Sequence, residues 1–199
     1  MLERLRYLCI TSSILDEFCE IRVAGLEQQA AYGSVQRDAD NLSADEQLIK
    51  IAESAKRLVA DLYGVLNDEL APEMSAAGIR LLRPQEWTEA QVAWLKRFFS
   101  REVAPIISPM GLDPAHPFPE PVNKSLAFIV TLEGRDAFGR NSGRAIVQAP
   151  RSLPRVICLP DEVSEGRCDM VLLATIVRYF VSDLFLGMKA TGCHQFRVT

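Results

Sequence analysis

Residues 43–70, SADEQLIKIAESAKRLVADLYGVLNDEL, decide the architecture of the first half of this chain. Ser43 and Glu46 have the spacing of a capping box, in which each satisfies a backbone group that the first helical turn leaves open. Behind them Leu48, Ile51, Ala52, Ala55, Leu58, Val59, Leu62, Val65, Leu66 and Leu70 hold one face. That pattern lasts about six turns at ~3.6 residues per turn. The stripe reads as core. Pro72 falls where a bend is expected, and Gly78 suits a helix terminator.

Upstream, residues 2–26 (LERLRYLCITSSILDEFCEIRVAGL) are also helical in pattern. Leu5, Leu8 and Cys9 share a face, and Thr11, Ser12 and Ser13 interrupt it. Ser13 is expected to cap a second helix, with Asp16 near its positive end and Leu15, Phe18 and Cys19 on its apolar side. Gly25 and Gly33 bracket a weaker pattern, and 38–41 is a polar connector. Downstream, Ile79 to Leu82 reads as a short strand. Thr88 and Gln91 repeat the cap spacing, and Val92, Leu95, Phe98, Phe99 and Val103 carry a helix to Pro105. Long helices on short links predict a helical bundle.

Composition changes at Pro105. Six prolines lie between Pro105 and Pro121, so this stretch is a stiff, extended connector. Beyond it, Leu126 to Leu132, Arg144 to Gln148 and Val156 to Leu159 read as strands, with a turn over 139–143. Met170 to Phe185 reads as a helix, with Leu173, Ile176, Val177, Phe180 and Leu184 on one face, and Gln195 to Val198 as a last strand. The fold class is therefore α+β. A helical bundle over 1–104 is followed by a small α+β domain over 105–199.

The 199 residues are 48% hydrophobic and 24% charged, which is ordinary for a globular chain. No apolar run approaches the ~20 residues that span a bilayer, and no secretory signal is seen, so the cytoplasm is expected. Peripheral membrane association is not readable. The five cysteines are odd in number and widely spaced, which favours reduced thiols over a zinc site. A net charge of −4 argues against nucleic acid as a partner.

Candidate chemical groups are few. His116 sits between prolines and reads as a turn or surface residue. His194 follows Cys193, but neighbours on a strand point to opposite faces, which excludes a dyad. Ser13 is a better cap than phosphate ligand. Asp16 and Glu17 read as a dipole partner and a solvated or paired side chain, with no acid–base role. Arg4, Arg6, Arg22, Arg151 and Arg155 suit ion pairs, with Glu3, Glu17 and Glu20 at hand. The glycines of 139–143 belong to a turn, and no phosphate-loop motif is present.

Four segments in order resemble the bacterial polyphosphate kinase family. These are the opening LERLRYL with SSILDEF at 12–18, LDPAHPFP at 112–119, LPRV at 153–156 with Leu159-Pro160, and FRVT at 196–199. The resemblance covers nearly the whole chain. It implies an N-terminal helical domain up to Ala104 and a head domain from Pro105. It also implies that the two catalytic domains lie outside this sequence, and that the chain starts about one helix late. Those domains carry the phosphorylated histidine and the cations that hold phosphate. Neither His116 nor His194 matches that histidine, so no catalytic residue and no metal ligand is assigned.

The implied reaction moves the terminal phosphoryl group of ATP to polyphosphate, with magnesium. This chain alone is expected to be inactive and to hold no cofactor tightly. Its implied role is structural, covering the nucleotide and forming a homodimer through the head-like domain. One site residue follows from the resemblance. Ile14 stands where the family has an Asn that contacts ATP. Ile offers only apolar contact there. The alternative reading is a stand-alone, non-enzymatic protein-interaction module. With the first helix lacking, the Leu5, Leu8, Leu15 and Phe18 face is expected to be uncovered and the chain prone to self-association.

Overall fold

Ser43 starts its helix as its sequence requires. Its hydroxyl accepts from the Glu46 amide at 3.2 Å, and its own amide donates to Glu46 Oε2 at 2.8 Å. The computed structural model describes residues 1–33, 41–113, 117–135 and 143–198. Packing divides it into two compact units, Met1–Ala77 and Gly78–Val198.

The first unit is helical. Helix α1 (Leu2–Phe18), a π-helical stretch (Cys19–Val23) and α2 (Ala24–Ala31) follow one another with helical backbone at both junctions. Gly33 then takes a positive φ of 63°. The expected break at Thr11–Ser13 does not occur, and Ser13 caps nothing. Thr11 Oγ1 donates to the carbonyl of Tyr7, one turn back, at 2.9 Å. Its polar group is satisfied inside the helix, so the helix continues. After 34–40, which lie outside the described residues, come α3 (Ala44–Gly64), a second π-helical stretch (Val65–Leu70) and α4 (Ala71–Ala76). Arg4 reaches across to Glu69 and Glu73.

The long apolar stripe of α3 is not a closed core. Ala44 is the one buried residue of that helix, and α1 has none. The buried hydrophobic positions described in this unit are Leu26, Ala44, Leu70 and Met74. Leu5, Leu8, Leu15 and Phe18 of α1 and Ile51, Ala55, Leu58 and Leu62 of α3 line an open groove, while Leu2, Tyr7, Ile10 and Ile49 are exposed.

The second unit contains β1 (Ile79–Leu81), α5 (Glu89–Phe98), β2 (Met110–Gly111), β3 (Leu126–Gly134), β4 (Arg144–Gln148), β5 (Val156–Cys158), α6 (Asp161–Ser164), β6 (Cys168–Leu172), α7 (Leu173–Phe180) and β7 (Met188–Arg197). Thr88 and Gln91 cap α5 reciprocally, at 3.2 and 3.0 Å. That helix continues through a third π-helical stretch (Phe99–Val103) into a 3₁₀ turn at Ala104–Ile106. One sheet has the order β1-β6-β5, with β1 parallel to β6 and β5 antiparallel to it. The other is antiparallel, in the order β2-β4-β3-β7.

Two expectations change here. The compact units meet at Ala77/Gly78, not at Pro105. Leu95, Phe99 and Val103 share one core cluster with Phe128, Val130, Val147, Ile176 and Phe180, so the helix before the prolines belongs with the strands after them. The segment 170–185 is also not one helix. It begins as strand β6, in which Asp169 and Val171 point inward, and turns into α7 only at Leu173. The final strand is longer than expected. It pairs with β3 along Leu126 to Gly134 through a bulge that leaves Thr191 without an opposite residue.

Candidate functional site

Ile14, the one site residue that the sequence nominates, lies in the body of α1 and is 61% exposed. With Thr11, Leu15 and Phe18 it forms one wall of a cavity of ≈ 430 Å³, and α3 supplies the other with Lys50, Ile51, Ser54, Ala55 and Leu58. A second cavity of ≈ 220 Å³ shares Leu15 and continues between Leu5, Leu8 and Ser12 on α1, Val59 and Leu62 on α3, and Leu66 on the π-helical stretch that follows. Wall residues recur at three and four positions because each helix turns one stripe inward.

The larger cavity is of ordinary size for a small-molecule site, about 300–1,000 Å³. Its polar groups are the Lys50 ammonium and the Thr11 and Ser54 hydroxyls. Thr11 has already spent its proton on Tyr7, so it can only accept. Ser54 Oγ accepts from Arg57 at 3.5 Å and keeps a proton to donate. The lining has no carboxylate, imidazole or thiol. It can hold an apolar body with an anionic or acceptor group beside Lys50. Lys50 and Ser54 were missed in the sequence. Their signal is the i, i+4 spacing of two polar residues bordering the Ile51–Ala55–Leu58 stripe.

The other sequence candidates separate. His116 and 139–142 lie outside the described residues. Cys193 and His194 do diverge. Cys193 packs toward the core, where burial pushes its thiol up and the Arg178 charge partly opposes that, while His194 is exposed on the other face. Ser13 sits within α1 and offers no helix terminus to an anion. Arg4 pairs with Glu69 and Glu73, not with the nearby acids of its own helix. Both partners raise the Arg4 guanidinium, the Glu69 hydrogen bond most. Among the described residues no three of His, Cys, Asp and Glu gather where they could hold a metal ion. Among the described residues no helix is long and apolar enough to cross a membrane.

The chain thus carries a helical unit followed by an α+β unit. Residues 1–82 match the polyphosphate kinase N-terminal domain, and residues 90–199 match the polyphosphate kinase middle domain. The chain belongs to the polyphosphate kinase family. Over all 199 residues it is 51% identical to a polyphosphate kinase of Pseudomonas syringae pv. tomato, of whose length it covers 27%. It is 50% identical to that of Pseudomonas aeruginosa and 48% identical to that of Neisseria meningitidis serogroup B, covering 29% of each. The crystal structure of polyphosphate kinase from Porphyromonas gingivalis superposes with a TM-score of 0.82 at 24% identity, over 98% of this chain and 28% of that one. That likeness carries the fold. The chain thus spans under a third of the length of these relatives.

Proposed function

We propose that this chain is the N-terminal and head portion of a polyphosphate kinase. The enzyme would pass the terminal phosphoryl group of ATP to a histidine outside this sequence, releasing ADP, and then from that histidine to the end of a polyphosphate chain. The observation that carries this reading is the match to polyphosphate kinases at about half identity along the entire chain. Transfer of this kind depends on cations around the spreading phosphoryl charge, and magnesium would be supplied with residues beyond Thr199. The part described here works as structure, covering the nucleotide, with Ile14 beside the base, and pairing two protomers through the head unit. Its setting is the cytoplasm.

The experiment compares this chain with a version continued through the catalytic half, each incubated with ATP, magnesium and polyphosphate. The continued protein should lengthen polyphosphate, and the 199-residue chain should incorporate none. Incorporation by the chain alone, or a continued protein that carries every catalytic group and stays inert, overturns the reading.

A further inference from the structure

We infer that the outer face of the β2-β4-β3-β7 sheet carries a niche for phosphate groups, built on Gly192 and formed by Thr131, His194 and Arg144. The pairing register puts these groups together. Thr131 stands opposite Gly192 on one side and Arg144 on the other, so all three share a face. His194 lies two residues from Gly192, on that same face. The alternate row, Val130 with Ala145 and Cys193, belongs to the core. Thr131, Arg144 and His194 are all exposed.

Gly192 is the floor. A Cβ there would stand 3.4 Å from Thr131 Oγ1 and 3.5 Å from His194 Nε2, so both polar atoms converge on the space that the missing side chain leaves. Gly192 is not among the residues with positive φ, so turning does not demand glycine here. Neither the Thr131 hydroxyl nor the His194 ring has a hydrogen-bond partner among the described residues. Arg144 has other interactions and adds charge at the rim. One row along, Glu133 stands opposite Lys189, so the carboxylate there has a cation across the strand.

A hydroxyl, an imidazole N–H and a guanidinium fork are donors suited to the oxygens of a tetrahedral anion. The strand-pairing register holds the hydroxyl and the ring on one face beside Gly192, where a phosphate group can meet both. Preference for a phosphate chain over a single phosphate rests on the proposed function. The phosphate niche itself rests on the register and the glycine.

The test uses the full 199-residue chain and follows the His194 ring by NMR, assigned with His194→Gln. It is titrated separately with inorganic phosphate and with short-chain polyphosphate. Saturable shifts are expected with both, tighter for polyphosphate. Gly192→Ala, which fills the niche and keeps every donor, should weaken binding by about tenfold or more, the equivalent of ~1.4 kcal/mol. Thr131→Val should weaken it less. Both variants are checked for an unchanged thermal transition. If neither probe moves the His194 ring, or a folded Gly192→Ala binds as the parent does, the niche is refuted. If polyphosphate binds no tighter than phosphate, the chain preference is refuted. Kinase activity of the continued protein is scored separately, so loss of the niche and loss of the proposed function give different results.

Discussion

Arg80 on β1 grips the buried carboxylate of Asp169 on β6 with both arms, Nε to Oδ1 at 2.7 Å and Nη2 to Oδ2 at 2.6 Å. The two residues face each other in the parallel register that joins these strands. Asp169 is fully buried, and Gln91, itself buried, donates to it at 3.1 Å and also to the Val163 carbonyl at 3.1 Å. One carboxylate therefore ties β1 and α5 to β6, and Gln91 carries the link on to α6. Its hydrogen bond raises the Arg80 guanidinium, while burial acts the other way.

Arg80→Ala leaves that carboxylate buried without its cation and should cost about 3–5 kcal/mol in urea unfolding. The double change Arg80→Met with Asp169→Leu should recover much of the loss, because two apolar groups need no partner. A single variant as stable as the parent would mean that the pair contributes nothing to folding.

The division at Ala77/Gly78 predicts how the chain can be cut. Residues 78–199 should unfold cooperatively on their own. Residues 105–199 lack Leu95, Phe99 and Val103, which are 0% exposed, and should lose their cooperative transition. Circular dichroism melts of the two pieces decide this, and equal cooperativity in both would restore the boundary to the prolines.

Cys193 should resist alkylation. Burial raises its thiol above the ordinary value, so the thiolate appears at higher pH than in an unfolded chain. The unfolded state ionises first, so stability falls as pH rises above the unfolded thiol's value. The rate of iodoacetamide labelling at Cys193 should inflect later than that of a free thiol. Arg178→Gln should move the inflection later still, since that charge favours the thiolate.

Ile14→Asn, placed in the protein continued through its catalytic half, should tighten ATP by up to roughly tenfold. One net hydrogen bond is worth ~0.5–1.5 kcal/mol. ATP and GTP affinities are measured side by side. No change for either nucleotide would show that position 14 does not read the base.

Ser43→Ala removes the acceptor for the Glu46 amide and should lower stability by about 1 kcal/mol. Glu46→Ala tests the reciprocal half of the same box, and a smaller loss is expected because the hydroxyl cap survives.

Much of this architecture was legible in the sequence where one local rule decided the outcome. Both capping boxes are formed, and the β4 strand matches its pattern from Arg144 to Gln148. The errors arose where distant partners decide. Asp169 sits at an inward strand position that pattern reading reserves for apolar residues. Arg80 and Gln91, 89 and 78 residues away, make it tolerable there. Ser13 looked like a cap because three hydroxyl residues in a row resemble a break, yet Thr11 satisfies itself on the preceding turn. The groove was half visible. Periodicity shows that Leu15 and Leu58 belong to inward stripes, but not how far apart the helices that carry them stand.

The three π-helical stretches bear on which changes of length this chain tolerates. A residue added to an α-helix rotates everything beyond it by about 100° and would carry an inward stripe out of place. A π turn absorbs such an addition locally. Deleting one residue within Val65–Leu70 should return that stretch to regular winding, with Leu62 and Met74 keeping their directions. The same deletion in the middle of α3 would turn Leu58 and Leu62 away from the groove. Gaps in alignments between this chain and its kin should therefore gather at 19–23, 65–70 and 99–103, leaving the intervening helical segments constant in length.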